Sequence, residues 1–262
     1  MTALPLPEGE ADTGDMVAAM NAVLPGQAEK PRYVAEMFGR IAARYDLMNT
    51  LMTAGQDQRW RRTVARMAVE TPNAELRRGK GARGTLILDI GTGTGRLAEA
   101  ILKAHPSARV LGLDFTEAML RRARRQINPT RADALSLPFA DNQFDAVVSA
   151  FVVRNLASVA DGIAEQVRVL RPAGRLVVLE TTPGPRGLLG RLTRLYFRLI
   201  VPALGRLIAR DSAAYTYLPE STMAFLEPAR LAGVLTGYGL IDVRVRRLAL
   251  GSVAITSARK PA

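Results

Sequence analysis

The stretch "LDIGTGTGRL" sets Asp89 ahead of Gly91, Gly93 and Gly95, with Thr94 between the last two glycines. The apolar run "TLILDI" precedes it and a helical pattern follows, so the glycines stand at a strand-to-helix turn. Glycine there permits a tight turn and lets a ligand approach the backbone N–H groups of a helix start. Asp114 closes a second apolar run, "RVLGLD". A carboxylate at that edge can accept two hydrogen bonds from ribose hydroxyls, each worth about 1.5–3 kcal/mol because the acceptor is charged. It can also cap the helix that starts near Thr116. In "RADALSLPFADNQFD", Asp133 and Ala134 stand where a third strand should end, suited to an adenine edge; loop polarity alone would also explain Asp133.

A different chemistry is offered by "FVVRNL", where Arg154 and Asn155 follow the apolar run "FDAVVSAFVV". A charge directly after a buried strand is either a surface boundary or part of a site. Other chemistries are closed off. The 262-residue chain has no cysteine, which excludes disulfides, thiolate nucleophiles and cysteine-held metals. Its one histidine, His105, stands at a helix end before Pro106 and reads as a capping or surface residue, so no metal site is expected. The net charge of +12 favours anionic polymers or anionic membrane surfaces without choosing between them.

These residues need a frame. Short apolar strands alternate with helices from residue 85 onward: "TLILDI", "TGRLAEAILKAH", "RVLGLD", "TEAMLRRARRQI", "FDAVVSAF", "SVADGIAEQVRVL", "GRLVVLE". That order predicts an α/β fold with a doubly wound, Rossmann-like sheet, mostly parallel, with ligands beyond the carboxyl ends of its strands. The closing "LIDVRVRRLALGSVAITSARK" predicts an antiparallel hairpin around Gly251. Residues 1–30 read as a poorly ordered lead-in and 31–262 as one domain. Within it, 31–72 form an N-terminal helical lid, and 183–225 a basic, apolar helical insertion. One helical segment is predicted over "YVAEMFGRIAARYDLMNTLM", a second over "QDQRWRRTVARMAVE" with Trp60 as packing, and a loop over 71–84. No run is apolar enough to span a membrane and the start lacks a signal-peptide core, so a cytoplasmic protein is expected.

The glycine pattern departs from the dinucleotide fingerprint, which wants Gly or Ala where this chain has Arg96. It resembles the first motif of class I methyltransferases that use S-adenosylmethionine. Four further stretches, "MFGRIAARYDLMNTLMTAGQDQRWRR", "LPFADNQFDAVVSAFVVRNL", "RVLRPAGRLVVLE" and "SAAYTYLPEST", resemble the ubiquinone/menaquinone biosynthesis C-methyltransferase family, the UbiE/MenG type, over roughly residues 35–258. The resemblance implies S-adenosylmethionine as cofactor and methyl transfer to a ring carbon of a prenylated quinol. It carries Thr94, Asp114, Asp133 and Ala134 over as cofactor contacts beside Asp89, Gly91 and Gly93. Demethylmenaquinol is the expected substrate, because "TAGQDQRWRR" looks more like menaquinone-type members; the benzoquinol precursor of ubiquinone, or another small molecule, is the alternative. The chain departs from the family at Ala173, where a second glycine is common, at Phe151, and in "VAITSA", which lacks a histidine.

A quinol is a modest carbon nucleophile and its phenolate a far better one, so a cation near the hydroxyl would help. Arg154 is expected to stabilise the developing phenolate and Asn155 to orient a hydroxyl or water. Arginine stays protonated, which leaves the proton to water or to Tyr45 on the lid. The bland alternative pairs Arg154 with a structural carboxylate such as Asp46. In "RGLLGRLTRLYFRLIVPALGRLIAR", Arg191, Arg194 and Arg198 share one helical face and Leu188, Leu192, Leu195 and Leu199 another, before Pro202 is expected to end the helix. Residues 186–210 therefore read either as a lid helix or as a peripheral contact with the inner face of the cytoplasmic membrane. RNA methylation, suggested by "RRARR", lacks an Asn/Asp-Pro-Pro-aromatic motif after the fourth strand, so no nucleic acid is expected. A cofactor-binding scaffold without turnover is disfavoured by the intact glycine loop. Homo-oligomerisation is left open.

Overall fold

The computed structural model describes residues 24–70, 84–124, 127–185, 187–209 and 211–262. Among the described residues three helices come first: α1 (Lys30–Ile41), α2 (Tyr45–Met52) and α3 (Gln56–Val69). Then follow β1 (Leu86–Ile90), α4 (Arg96–Ala104), β2 (Arg109–Asp114), α5 (Glu117–Leu120), β3 (Asn128–Arg131), β4 (Phe144–Ala150), α6 (Val159–Val169) and β5 (Leu170–Thr181). The insertion contains α7 (Leu188–Leu195), α8 (Val201–Leu204) and α9 (Ser212–Met223); α10 (Pro228–Gly237), β6 (Ile241–Leu248) and β7 (Val253–Arg259) complete the chain.

The seven strands of the described residues lie in the order β3-β2-β1-β4-β5-β7-β6. β1 pairs in parallel with β2 on one side and β4 on the other, and β7 pairs antiparallel with β5 and β6. The expected sheet and hairpin are therefore present. The strand order reverses between β1 and β4, which run parallel, so the turns after them part and open a crevice at their carboxyl ends. Every residue of β4 is buried, as a central strand covered on both faces requires. Neighbouring residues divide between two cores with the period of a strand. Ile87, Val148 and Val177 face α3 and α4 through Val64, Leu97 and Ile101, while Leu88, Val147 and Val178 face α6 and α10 through Ile163 and Leu235. A third cluster holds the lid on the insertion: Met37, Phe38, Ile41 and Met48 pack with Tyr215, Tyr217 and Leu218.

Several local expectations change. The single helix foreseen over 33–52 is two, broken at 42–44, where Arg44 N–H bonds back to Ile41 O at 2.9 Å and turns Tyr45 inward. The helix foreseen over "TEAMLRRARRQI" is the one turn α5, because β3 must begin at Asn128 to pair with Leu111. β3 ends at Arg131, two residues before Asp133. β5 starts at Leu170, earlier than foreseen, and passes through Ala173 at a left-handed φ of 58°. Pro202 does not end its helix: wide π-type turns at Tyr196–Ile200 and Gly205–Ala209 flank α8, and Pro202 sits in the first turn of that segment, where no N–H is needed. Residues 71–83 of the loop expected over 71–84 and most of the lead-in over 1–30 lie outside the described residues, as does Arg125 of "RRARR"; α1 already begins at Lys30. No helix among the described residues is long and apolar enough to cross a membrane.

Candidate active site

The glycine loop leaves β1 with its backbone turned left-handed. At Gly91, φ is +62°, and a Cβ would stand 2.1 Å from Val152 Cγ2, so only glycine fits beside the turn after β4. Asp89 lies beneath the loop, fully buried, and accepts a hydrogen bond from Thr92 Oγ1 at 2.8 Å. Burial pushes its carboxyl up to about 7, against the pull of the Thr92 hydroxyl and the Arg61 charge. It supports the loop and does not line the cavity above. Asp114 does line it. One of its oxygens accepts from Gly93 N–H at 2.9 Å and the other from Thr116 N–H at 2.8 Å. Burial raises its carboxyl pKa, and those amides oppose the rise.

Gly91, Gly93, Thr94, Asp114, Asp133 and Ala134 all border one cavity, so of the seven expected cofactor residues only Asp89 stands outside it. Nothing comes closer to an imagined Cβ on Gly93 than Asp114 Oδ2, at 4.0 Å, which leaves open space between the loop and an acceptor carboxylate. Asp133 Oδ1 accepts from Leu135 N–H at 2.9 Å, fixing the residue at the cavity wall. This donor and acceptor set fits an adenosine whose ribose hydroxyls need a carboxylate. The described residues hold no cluster of three or more His, Cys, Asp or Glu able to bind a metal.

The lid is tied to this loop by charge. Thr94 Oγ1 donates to Asp46 Oδ1 at 2.8 Å. Arg96 reaches Asp57 Oδ2 at 3.0 Å, Thr50 Oγ1 at 3.2 Å and Asp46 O at 3.3 Å, joining α4 to both α2 and α3. The residue that spoils the dinucleotide pattern is thus the anchor of the lid. Lys30 Nζ donates to Arg154 O at 2.9 Å and Leu156 O at 2.8 Å, fixing α1 to the turn after β4. Burial, and secondarily the Arg154 charge, lower the Lys30 pKa.

A second, largely apolar cavity of about 640 Å³ lies beyond the first and contains Arg154, Trp60, Tyr196, Thr181 and Thr222. Tyr45 and Phe151 border both cavities. Phe151 holds a left-handed φ of 63°, with Trp60 at its edge, 6.5 Å between centroids, and the Arg61 guanidinium 5.4 Å from its ring centre. Arg154 pairs with Glu180 and not with Asp46, which is committed to Thr94 and lies near Arg124. Both partners are buried, and Arg154 Nε has no hydrogen-bond partner among the described residues. Asn155 lies on the first cavity, apart from Arg154: its amide donates to Phe151 O and accepts from the Tyr217 hydroxyl, each at 3.2 Å. Sequence reasoning missed Arg96, Asp57, Lys30 and Glu180. Only Glu180 carried a signal, as an acid ending an apolar strand at the ligand edge.

The ubiE/COQ5 methyltransferase family matches residues 26–260. Among curated relatives, the demethylmenaquinone methyltransferase of Thermus thermophilus is 43% identical over 86% of this chain and 100% of its own length. The ubiquinone/menaquinone biosynthesis C-methyltransferase of Desulfotalea psychrophila is 42% identical over 85% and 88%. In fold, the chain is similar to an S-adenosylmethionine-dependent methyltransferase from Thermotoga maritima (TM-score 0.57, 17% identity, 86% of this chain and 99% of that one). It is also similar to the [4+2]-cyclase SpnF (TM-score 0.56, 17% identity, 92% and 98%). A shared sheet thus leaves the reaction open, whereas sequence similarity and cavity agree: the chain belongs to the ubiE/COQ5 family of S-adenosylmethionine-dependent methyltransferases.

Proposed function

We propose that this protein methylates a ring carbon of demethylmenaquinol, a prenylated naphthoquinol, to give menaquinol. The observation that carries the reading is the meeting, at Tyr45 and Phe151, of a cavity bordered by Asp114 and Asp133 with an apolar cavity containing Arg154. Relatives named as demethylmenaquinone methyltransferases favour the naphthoquinol over the benzoquinol.

Bound S-adenosylmethionine supplies an electrophilic methyl group on a sulfonium. Asp114 would accept from the ribose hydroxyls, Gly91, Gly93 and Thr94 would line the methionine side, and Asp133 and Ala134 would meet the adenine edge. Arg154 borders the second cavity with its guanidinium held by Glu180, and would there stabilise negative charge growing on a quinol oxygen. Asn155, engaged by Phe151 and Tyr217, holds the wall between the cavities.

The tail has a route as well. Leu192 and Leu250 border the second cavity and are 55% and 71% exposed. Leu188, Leu195 and Leu199 continue an exposed apolar surface along the insertion, beside the exposed Arg191, Arg194 and Arg198. Such a surface suits acyl chains flanked by anionic headgroups.

The test is purified protein with labelled S-adenosylmethionine and reduced, short-tailed demethylmenaquinol or the demethylated benzoquinol in parallel. Label on the naphthoquinol is expected. Label on the benzoquinol alone would reassign the substrate, and label on neither, with cofactor binding intact, would overturn the reading.

A further inference from the structure

C-methylation leaves the attacked ring carbon carrying both the new methyl group and its original hydrogen. That hydrogen must depart as a proton, its C–H electron pair returning to the ring to restore aromaticity, so methyl transfer to the quinol releases one proton net. Some group must take the proton. Arg154 cannot, since guanidinium stays protonated. The one histidine, His105, borders a different groove with Arg62, Arg66 and Lys103. A neutral tyrosine such as Tyr45 is a weak acceptor.

We infer that Glu180 is the terminal proton acceptor of the reaction, reached through the hydroxyl of Thr181. This rests on the quinol reading above. Thr181 and Thr222 both border the second cavity, beside Arg154. Their hydroxyls are 2.9 Å apart, and Thr181 Oγ1 stands 3.4 Å from Glu180 Oε1. Catalytic hydrogen bonds of this length tighten once substrate is in place. Thr222 also contacts Leu218 O at 2.9 Å, so its own proton has an outlet and Thr181 is left to donate towards the carboxylate. On receiving a substrate proton at its oxygen, Thr181 passes its own proton to Glu180, and the hydroxyl is regenerated.

Glu180 is otherwise sealed. It is 2% exposed, its Oε1 also accepts from Thr181 N–H at 2.9 Å, and its Oε2 accepts from Arg154 N–H at 3.3 Å. The charged and titratable groups around it are Arg154 from the turn after β4, Lys30 of α1 behind that arginine, and Tyr217 of α9. Proton transfer to Glu180 also releases Arg154 from its countercharge while a quinol oxygen gains negative charge. Asp57, which itself borders this cavity, is held between Arg61 and Arg96; the Thr53 hydroxyl stands 3.3 Å from its Oδ1 but lies closer to Asn49 O, at 2.7 Å.

The experiment compares wild type, Glu180→Gln, Thr181→Val, Thr181→Ser and Asp57→Asn with demethylmenaquinol, reading kcat, both KM values and the solvent deuterium isotope effect. Glu180→Gln should lower kcat about 100-fold or more with the KM for S-adenosylmethionine within about twofold. Thr181→Val should lower kcat similarly and Thr181→Ser should restore it, a rescue that packing alone would not produce. Should Glu180→Gln fail to fold, the Thr181 pair decides alone. Near-normal kcat in Glu180→Gln or Thr181→Val, or loss of the isotope effect in Asp57→Asn only, would overturn the proposal. An inactive wild type would instead overturn the quinol reading and this proposal with it.

Discussion

Thr94 of the glycine loop donates to Asp46 of α2 at 2.8 Å, across 48 residues of chain. The loop that would hold the cofactor and the helix that closes over it are one hydrogen-bonded unit. Tyr45 immediately precedes Asp46 and borders both cavities, so the same bond helps fix the residue at which the two cavities meet.

Breaking that bond should be felt first in cofactor affinity. Thr94→Val keeps the side-chain shape and removes a hydrogen bond to a charged acceptor, worth about 1.5–3 kcal/mol. S-adenosylmethionine binding, measured by calorimetry, should weaken roughly 10-fold at the lower end of that range and roughly 100-fold at the upper. Unchanged affinity would show that the lid and loop are uncoupled.

Arg96 should matter for stability. Asp57 is wholly buried and has Arg96 at 3.0 Å and Arg61 at 3.4 Å. Removing one partner of a buried pair costs about 3–5 kcal/mol when the remaining charge is uncompensated. Arg61 remains, so Arg96→Ala should fall near or below the lower end of that range. The denaturant midpoint checks this, and a change under about 0.5 kcal/mol would contradict it.

Arg154→Ala should lower kcat by about 100-fold or more with quinol while leaving S-adenosylmethionine affinity intact, since Arg154 borders the second cavity and not the first. Arg154→Lys should not restore it, because a compact ammonium cannot reproduce the planar guanidinium that Glu180 contacts. Turnover with soluble quinol near the wild-type rate would remove the electrostatic role.

The buried Asp89 makes stability depend on pH. Its carboxyl is raised to about 7 by burial, above its ordinary value of 3.8. Between those values the folded state binds more protons than the unfolded one, so this residue's contribution falls as pH rises from about 4 to about 7 and stays lost above. Asn mimics the protonated acid and can still accept from Thr92. Thermal melts of Asp89→Asn and wild type should therefore diverge in the variant's favour as pH rises through that window. A constant difference would mean that Asp89 ionises in the fold without penalty.

The insertion can be separated from the chemistry. Leu195 and Leu199 are 53% and 57% exposed and do not border either cavity. Leu195→Glu with Leu199→Glu should reduce flotation with anionic phospholipid vesicles and leave turnover of a short-tailed quinol unchanged. Equal flotation of variant and wild type would sink the membrane contact.

The local signals in the chain were strong where one residue's type meets one backbone demand. Gly91 must be glycine because φ is +62° and Val152 packs where a Cβ would go, and this reads directly as a glycine-rich turn. Asp114, Asp133 and Ala134 follow strands whose apolar runs mark their own ends, so their arrival at one sheet edge was legible. The seven-residue burial of β4 was legible for the same reason.

Long-range pairing was not legible, because many carboxylates can be drawn opposite any arginine until the topology chooses. Arg154 is followed closest in sequence by no acid of its own turn, and Asp46 looked as suitable as any. Pairing of β4 with β5 puts Glu180 beside it, 26 residues on. The same holds for Arg96 and Asp57, and for the break at 42–44 that turns Tyr45 inward. From its sequence alone the chain declares a doubly wound sheet and the strand ends that face its ligand edge, since these depend on periodicity and on residue types at fixed spacing, while its family was legible as a resemblance of whole stretches. Which charges neutralise one another, and which two cavities meet at Tyr45 and Phe151, were decided by the tertiary structure, because electrostatic pairing depends on distance in space and the sequence records only order along the chain.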